Sequence, residues 1–147
     1  MKKVYLIRHA QPILSGENIL GMGIRDIPLG EEGRQQARKM AAQLPPVCRV
    51  FSSPLRRAVQ TAHAIGQPVT LLRDLQEIQP GEQSSLSRFR AAMEHCAVEE
   101  SGDFAVVSHG VIISQFLQLL TGSPRRPGYA EVITLLWENG TFYVPEK

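Results

Sequence analysis

Three short apolar runs, each ending in a cation or an imidazole, constrain this chain more than any other feature. Val4-Tyr5-Leu6-Ile7 runs into Arg8-His9-Ala10, and Val50-Phe51-Ser52-Ser53 runs into Pro54-Leu55-Arg56-Arg57. Phe104-Ala105-Val106-Val107-Ser108 runs into His109-Gly110. Each run is rich in β-branched residues and is followed by a turn or helix signal, so each reads as a buried strand. In an open α/β sheet, ligands bind beyond the carboxyl ends of the strands. The chain therefore gathers two histidines and two or three arginines at one sheet edge, a set that points to chemistry on a phosphate.

The rest of the pattern alternates strands with helices. A first strand over 3–7 is followed by a long loop, 10–30, rich in Gly and Pro. A helix from Glu31 to Leu44 carries Ala37, Met40, Ala41 and Leu44 on one side and stops at Pro45-Pro46. The second strand covers 48–52. Ser52 or Ser53 is the expected cap of the next helix, with Pro54 in its first turn and an end near Ile65. A short strand over 69–73, a loop over 74–84 and a helix over 85–98 follow, the helix striped with Leu86, Phe89, Met93 and Ala97. The strand 104–108 precedes an apolar helix from Val111 to Leu120, closed by Thr121-Gly122. Asn139-Gly140 predicts a tight hairpin between VITLLW and TFYV. The expected architecture is a three-layer α/β sandwich: a mostly parallel central sheet, helices on both faces, and a terminal antiparallel hairpin at an edge.

Length and composition narrow the class. A chain of 147 residues suits a single domain with one core. No apolar run approaches the roughly 20 residues that span a bilayer, and the run after Lys2-Lys3 is too short for a secretory leader, so a cytoplasmic location and no membrane partner are expected. A net charge of +2 argues against nucleic acid as a partner. Twelve of the sixteen basic residues are arginines, which grip phosphate or carboxylate with two parallel hydrogen bonds. Cys48 and Cys96 have no metal-ligand spacing and read as two free, mostly buried thiols.

His9 and His109 each sit at a strand end, one beside Arg8 and the other before Gly110. Gly110 opens the amino end of the following helix, where anions are favoured. The two histidines lack further ligands, and a metal ion would be repelled by the neighbouring arginines, so no metal site is expected. Arg56 and Arg57 face different sides of their helix, so only one of the two serves the site. His63 and His95 fall on helices away from strand ends and read as surface or core residues. Arg125-Arg126 forms a basic turn that reads as a solvated charge pair, with contact to a substrate as the alternative, and Trp137 reads as packing.

These segments resemble the histidine phosphatase superfamily, which includes the cofactor-dependent phosphoglycerate mutases. Arg8-His9-Ala10 looks like its Arg-His-Gly signature, SSPLRRAVQTA like its second arginine motif with the family arginine at Arg57, and Ser108-His109-Gly110 like its second histidine motif. Asp26-Ile27-Pro28-Leu29, with Gly33 and Gln36-Ala37, is similar to its loop-to-helix signature. The resemblance implies a phosphoric monoester hydrolase in which neutral His9 attacks phosphorus and forms a phosphohistidine. Arg8, Arg57 and His109 would surround the phosphoryl oxygens, and no metal or other cofactor is implied. It also implies a carboxylic acid after the third strand; Glu77 is the candidate and Glu82 the alternate. The family's phosphate-binding asparagine lacks a counterpart at its usual spacing, and Asn18 is the candidate for that role.

The sequence departs from the family pattern in three places. Ala10 stands where glycine is usual, and Pro12 where a hydroxyl residue is common. Only 31 residues separate Glu77 from His109, and one helix nearly fills them, so no large lid insertion and a shallow open site are expected. An open site disfavours a mutase, which must shield its intermediate from water. The expected partner is a small phosphorylated substrate; the alternatives are a phosphoprotein, for a protein phosphohistidine phosphatase, or a phosphate held by a catalytically silent binding module.

Overall fold

The computed structural model describes residues 1–13 and 26–145. Strand β1 covers Lys2–Arg8, α1 Glu31–Gln43, β2 Val50–Ser52, α2 Arg56–His63 and β3 Val69–Leu71. A short 3₁₀ turn, Arg73–Leu75, leads on to α3, Ser85–Glu99. Strand β4 (Phe104–Ser108), α4 (Gly110–Thr121), β5 (Val132–Glu138) and β6 (Thr141–Tyr143) complete the order.

The six strands form one sheet in the order β3-β2-β4-β1-β5-β6. The pairs β3·β2, β2·β4 and β4·β1 are parallel, whereas β5 and β6 run antiparallel at the other side. The hairpin is the expected one: Asn139 and Gly140 both take positive φ, 55° and 75°, as a type I′ turn requires.

Alternation along β1 divides the core. Val4 and Leu6 face α3 and α4, packing with Phe89, Met93, Ile112 and Phe116. Tyr5 and Ile7 face α1 and α2, packing with Met40, Ala58 and Ala62. The sheet thus lies between two helical layers, and α4 ends as expected on Gly122, at φ 84°.

The three parallel strands that carry the motifs end in register. Arg8 lies beside Ser108, and Ser52 beside Val107. One residue further on, the His9 N–H donates to the Ser108 carbonyl (2.9 Å) and the Ser53 N–H to the Val107 carbonyl (3.0 Å). His9, Ser53 and His109 therefore leave the sheet at the same edge.

Two local expectations are corrected. Neither serine caps α2: the helix starts at Arg56, after Pro54, and the Arg56 N–H donates to Asp26 Oδ1 (2.6 Å), while the Ser53 hydroxyl is engaged elsewhere. Cys48 is exposed beside the Asp103 carbonyl, whereas Cys96 is buried and its thiol is pushed up to about 12.

Candidate active site

The nucleophile candidate is held on both sides. His9 is buried, and its Nδ1 lies 2.7 Å from the Ala10 carbonyl. A carbonyl can only accept, so Nδ1 carries the proton and Nε2 keeps its lone pair. Arg57 Nε donates to that Nε2 at 3.3 Å. The Ala10 peptide is itself fixed, since its N–H donates to Thr61 Oγ1 (2.9 Å) and that hydroxyl donates to the Arg57 carbonyl (2.7 Å). The methyl of Ala10 packs with Leu29 and Ala37, so this departure from glycine fills a small apolar cluster.

The loop-to-helix signature supports the same turn. A Cβ on Gly33 would stand 2.0 Å from the Gln11 carbonyl oxygen, so only glycine lets α1 approach this closely. Gln36 Oε1 accepts the Gln11 N–H at 2.9 Å, and Gln60 Oε1 accepts the Leu29 N–H at 2.7 Å.

His109 faces His9, with ring centroids 5.0 Å apart and planes at 61°. Its Nε2 is 2.8 Å from Ser53 Oγ, which also accepts the Leu55 N–H (3.3 Å). In the tautomer where the Ser53 hydroxyl donates to Nε2, the ring proton of His109 sits on Nδ1. That Nδ1 is buried and without a hydrogen-bond partner. In that tautomer a buried, unpaired N–H beside His9 is a ready ligand for an anionic oxygen.

Electrostatics keep both rings neutral. Burial, then the charges of Arg57 and Arg8, push His9 down to about 3. Burial, followed by His9 and the same arginines, holds His109 well below its ordinary value. Burial also lowers Arg57, which is 1% exposed, and the negative charges of Glu77 and Asp26 partly offset this.

Arg8 leans out of the sheet edge. Its guanidinium donates to the Pro127 carbonyl (3.0 Å) and lies 4.3 Å from the centre of the Tyr129 ring. Its Nε is buried without a partner. Of the adjacent arginines, Arg57 is the buried one, while Arg56 is exposed and pairs with Asp26 (3.4 Å).

Glu77 is buried near the same edge, but as a helix cap. Its carboxylate accepts the N–H groups of Ile78 (3.0 Å), Val111 (2.9 Å) and Ile112 (2.8 Å). The amino end of α4 holds an anion, as expected, and at Val111 and Ile112 that anion is the Glu77 carboxylate itself. Glu82 is held by Arg88 in a two-point pair (2.6 and 2.9 Å) and lowered to about 2 by it. Asn18 lies outside the described residues.

Sequence alone marks none of Ser53, Thr61 and Tyr129 as a site residue. Ser53 sits in the turn after β2, where a hydroxyl reads as a cap, and its contact with His109 spans 56 residues. Tyr129 carried no signal, yet its ring lies 6.0 Å from that of His9. His63 and His95, read as surface or core residues, are exposed, and the ring of Trp137 packs on Phe142 (4.6 Å). Among the described residues no group of three or more His, Cys, Asp or Glu comes together that could hold a metal ion, and no helix is long and apolar enough to cross a membrane.

Residues 4–87 match the family profile of the histidine phosphatase superfamily (branch 1). No curated protein sequence matches the chain. Among solved structures, a phosphoglycerate mutase from Bacillus anthracis superposes with a TM-score of 0.86 at 19% identity, over 99% of this chain and 92% of the other. A phosphoserine phosphatase from Entamoeba histolytica in complex with 3-phosphoglyceric acid gives 0.79 at 23% identity, over 99% and 96%. A putative alpha-ribazole-5'-P phosphatase from Escherichia coli gives 0.80 at 19% identity, again over 99% and 96%.

Proposed function

Because the chain belongs to the histidine phosphatase superfamily, branch 1, we propose that it hydrolyses small phosphomonoesters without a metal ion, through a phosphohistidine on His9. The observation that carries this reading is the state of His9: neutral, its Nδ1–H tied to the Ala10 carbonyl, its Nε2 lone pair facing Arg57 and the His109 ring. A histidine nucleophile needs just this combination.

In the first step Nε2 attacks phosphorus, a P–N bond forms, and the ester P–O bond breaks with its electron pair on the leaving oxygen. Arg8, Arg57 and the His109 Nδ1–H take the three equatorial oxygens as charge develops there. In the second step water attacks phosphorus, the P–N bond breaks, and neutral His9 returns as inorganic phosphate leaves.

The leaving oxygen also needs a proton, and Glu77 is the candidate donor. Its carboxylate already accepts three backbone N–H groups, so it is better placed to accept than to give. Esters of acidic alcohols and phenols, which leave with little protonation, suit such a site best. The same observation favours a second reading, a protein phosphohistidine phosphatase, whose imidazole leaving group demands less acid. A shallow site without a lid would admit either substrate.

The test is turnover of p-nitrophenyl phosphate in excess chelator. Turnover that disappears in His9→Ala supports the reading. Phosphate binding without turnover in the wild type would make the chain a silent binding module. Among substrates, loss of alkyl phosphate hydrolysis in Glu77→Gln with phosphoramidate hydrolysis retained assigns Glu77 as the acid.

A further inference from the structure

The turn after α4 is a wall of the site. Arg125 swings away from it to pair with Glu131, whose Oε1 also accepts the Gly128 N–H (2.8 Å). The following residues turn inward: the Pro127 carbonyl takes Arg8, and the Tyr129 ring lies under the Arg8 guanidinium and beside His9. Arg126 follows them. A Cβ built on Gly110 would lie 3.1 Å from Arg126 Nε and 2.9 Å from Arg8 Nε, so the two guanidinium stems meet over that glycine.

Arg126 is exposed, and among the described residues no carboxylate lies within ion-pair distance of it. Among the described residues, exposed Arg34 and Arg73 also lack such a partner, so what sets Arg126 apart is its place beside Arg8 over Gly110. Both arginines are exposed, as the solvated reading expects, but they part company: Arg125 pairs with Glu131, whereas Arg126 meets Arg8. Two cations side by side repel each other until an anion lies across them. The charge of Arg126 bears on Arg8, whereas the charges bearing on His9 are those of Arg57 and Arg8. Arg126 is exposed and meets Arg8 over Gly110, whereas buried Arg57 is the arginine bonded to His9, so Arg126 stands one step out from His9, on the side open to the rest of a substrate.

We propose that Arg126 anchors a second anion carried by the leaving portion of the substrate, so that the preferred phosphomonoesters bear a carboxylate or a further phosphate. This rests on the phosphatase reading above. The planar fork of arginine suits either anion, and Tyr129 supplies a flat wall between the two charged ends.

The test compares 3-phosphoglycerate and propanediol bisphosphate with glycerol 3-phosphate, which has the same phosphate but no second anion. The wild type is expected to favour the first or the second by on the order of 10-fold in kcat/KM. In Arg126→Gln that ratio falls toward unity, chiefly through KM, whereas Arg125→Gln keeps it. A wild-type ratio near unity for both, or a ratio untouched by Arg126→Gln, overturns the proposal. The same ligands are also titrated calorimetrically onto His9→Ala and onto His9→Ala with Arg126→Gln. If no ester turns over, the phosphatase reading fails, and the Kd ratio alone still decides whether Arg126 holds a second anion.

Discussion

Mild acid should loosen this fold well before its carboxylates titrate, because the site buries two neutral imidazoles. His9 is pushed down to about 3 and His109 well below its ordinary 6.5. In the unfolded chain both return to the ordinary value. Below that value the unfolded chain binds protons that the folded chain refuses, so stability falls as pH falls. Each such histidine contributes about 1.4 kcal/mol per pH unit. Between pH 6.5 and about pH 5 His9 costs roughly 2 kcal/mol and His109 adds to the loss in the same direction, against the ~5–15 kcal/mol that holds a typical domain. The window avoids Glu82, lowered to about 2 by Arg88, whose contribution is lost only as pH falls below the carboxylate's ordinary 4.5. Urea unfolding at the two pH values measures the difference directly, since the midpoint shifts with stability at constant slope. In His9→Asn the acid loss should shrink by roughly 2 kcal/mol, the share of His9. Equal midpoints at both pH values, or a His9→Asn variant as acid-sensitive as the wild type, would show that these rings are not held neutral.

Other variants probe neighbouring parts of the argument. Ser53→Ala strips the partner from His109 Nε2; stability should fall by about 1–3 kcal/mol, and nitrogen NMR should show His109 no longer confined to the Nδ1–H tautomer, with Ser53→Thr restoring it. Glu77→Ala leaves three N–H groups without their acceptor and should cost on the order of 2–3 kcal/mol of stability, read by denaturant unfolding, whatever its effect on turnover. Gly110→Ala places a methyl within 2.9 Å of Arg8 Nε. Arg8 is pinned by Pro127 and Tyr129, so KM for any phosphate ester should rise roughly 10-fold or more while the melting temperature barely moves.

What could be read from the chain followed short-range rules. The continuous apolar run Val4-Tyr5-Leu6-Ile7 foretold a strand buried on both faces, and all four residues are buried, two against each helical layer. Asn139-Gly140 foretold its turn because few other residues take positive φ twice in succession. The meeting of His9 and His109 was legible because parallel strands with matched ends must deliver their next residues to one edge. What stayed hidden depends on contacts between distant segments. A serine after a strand has several uses, and only the approach of His109 selects among them. Glu77 as cap of α4 joins residues 34 apart. The parting of Arg125 and Arg126 follows from Glu131, which fixes the turn from the start of β5; adjacent identical residues carry no sign of it. Cys48 is exposed because β2 starts at Val50, later than its apolar pattern implied.

The most direct test of the central claim is to catch the enzyme in mid-turnover. Protein quenched into alkali during hydrolysis of an aryl phosphate in excess chelator should gain the mass of one phosphoryl group, mapped by peptide fragmentation to His9 and absent from His9→Ala. Steady turnover with no phosphorylated protein, or a phosphoryl group mapped to any other residue, would contradict the account.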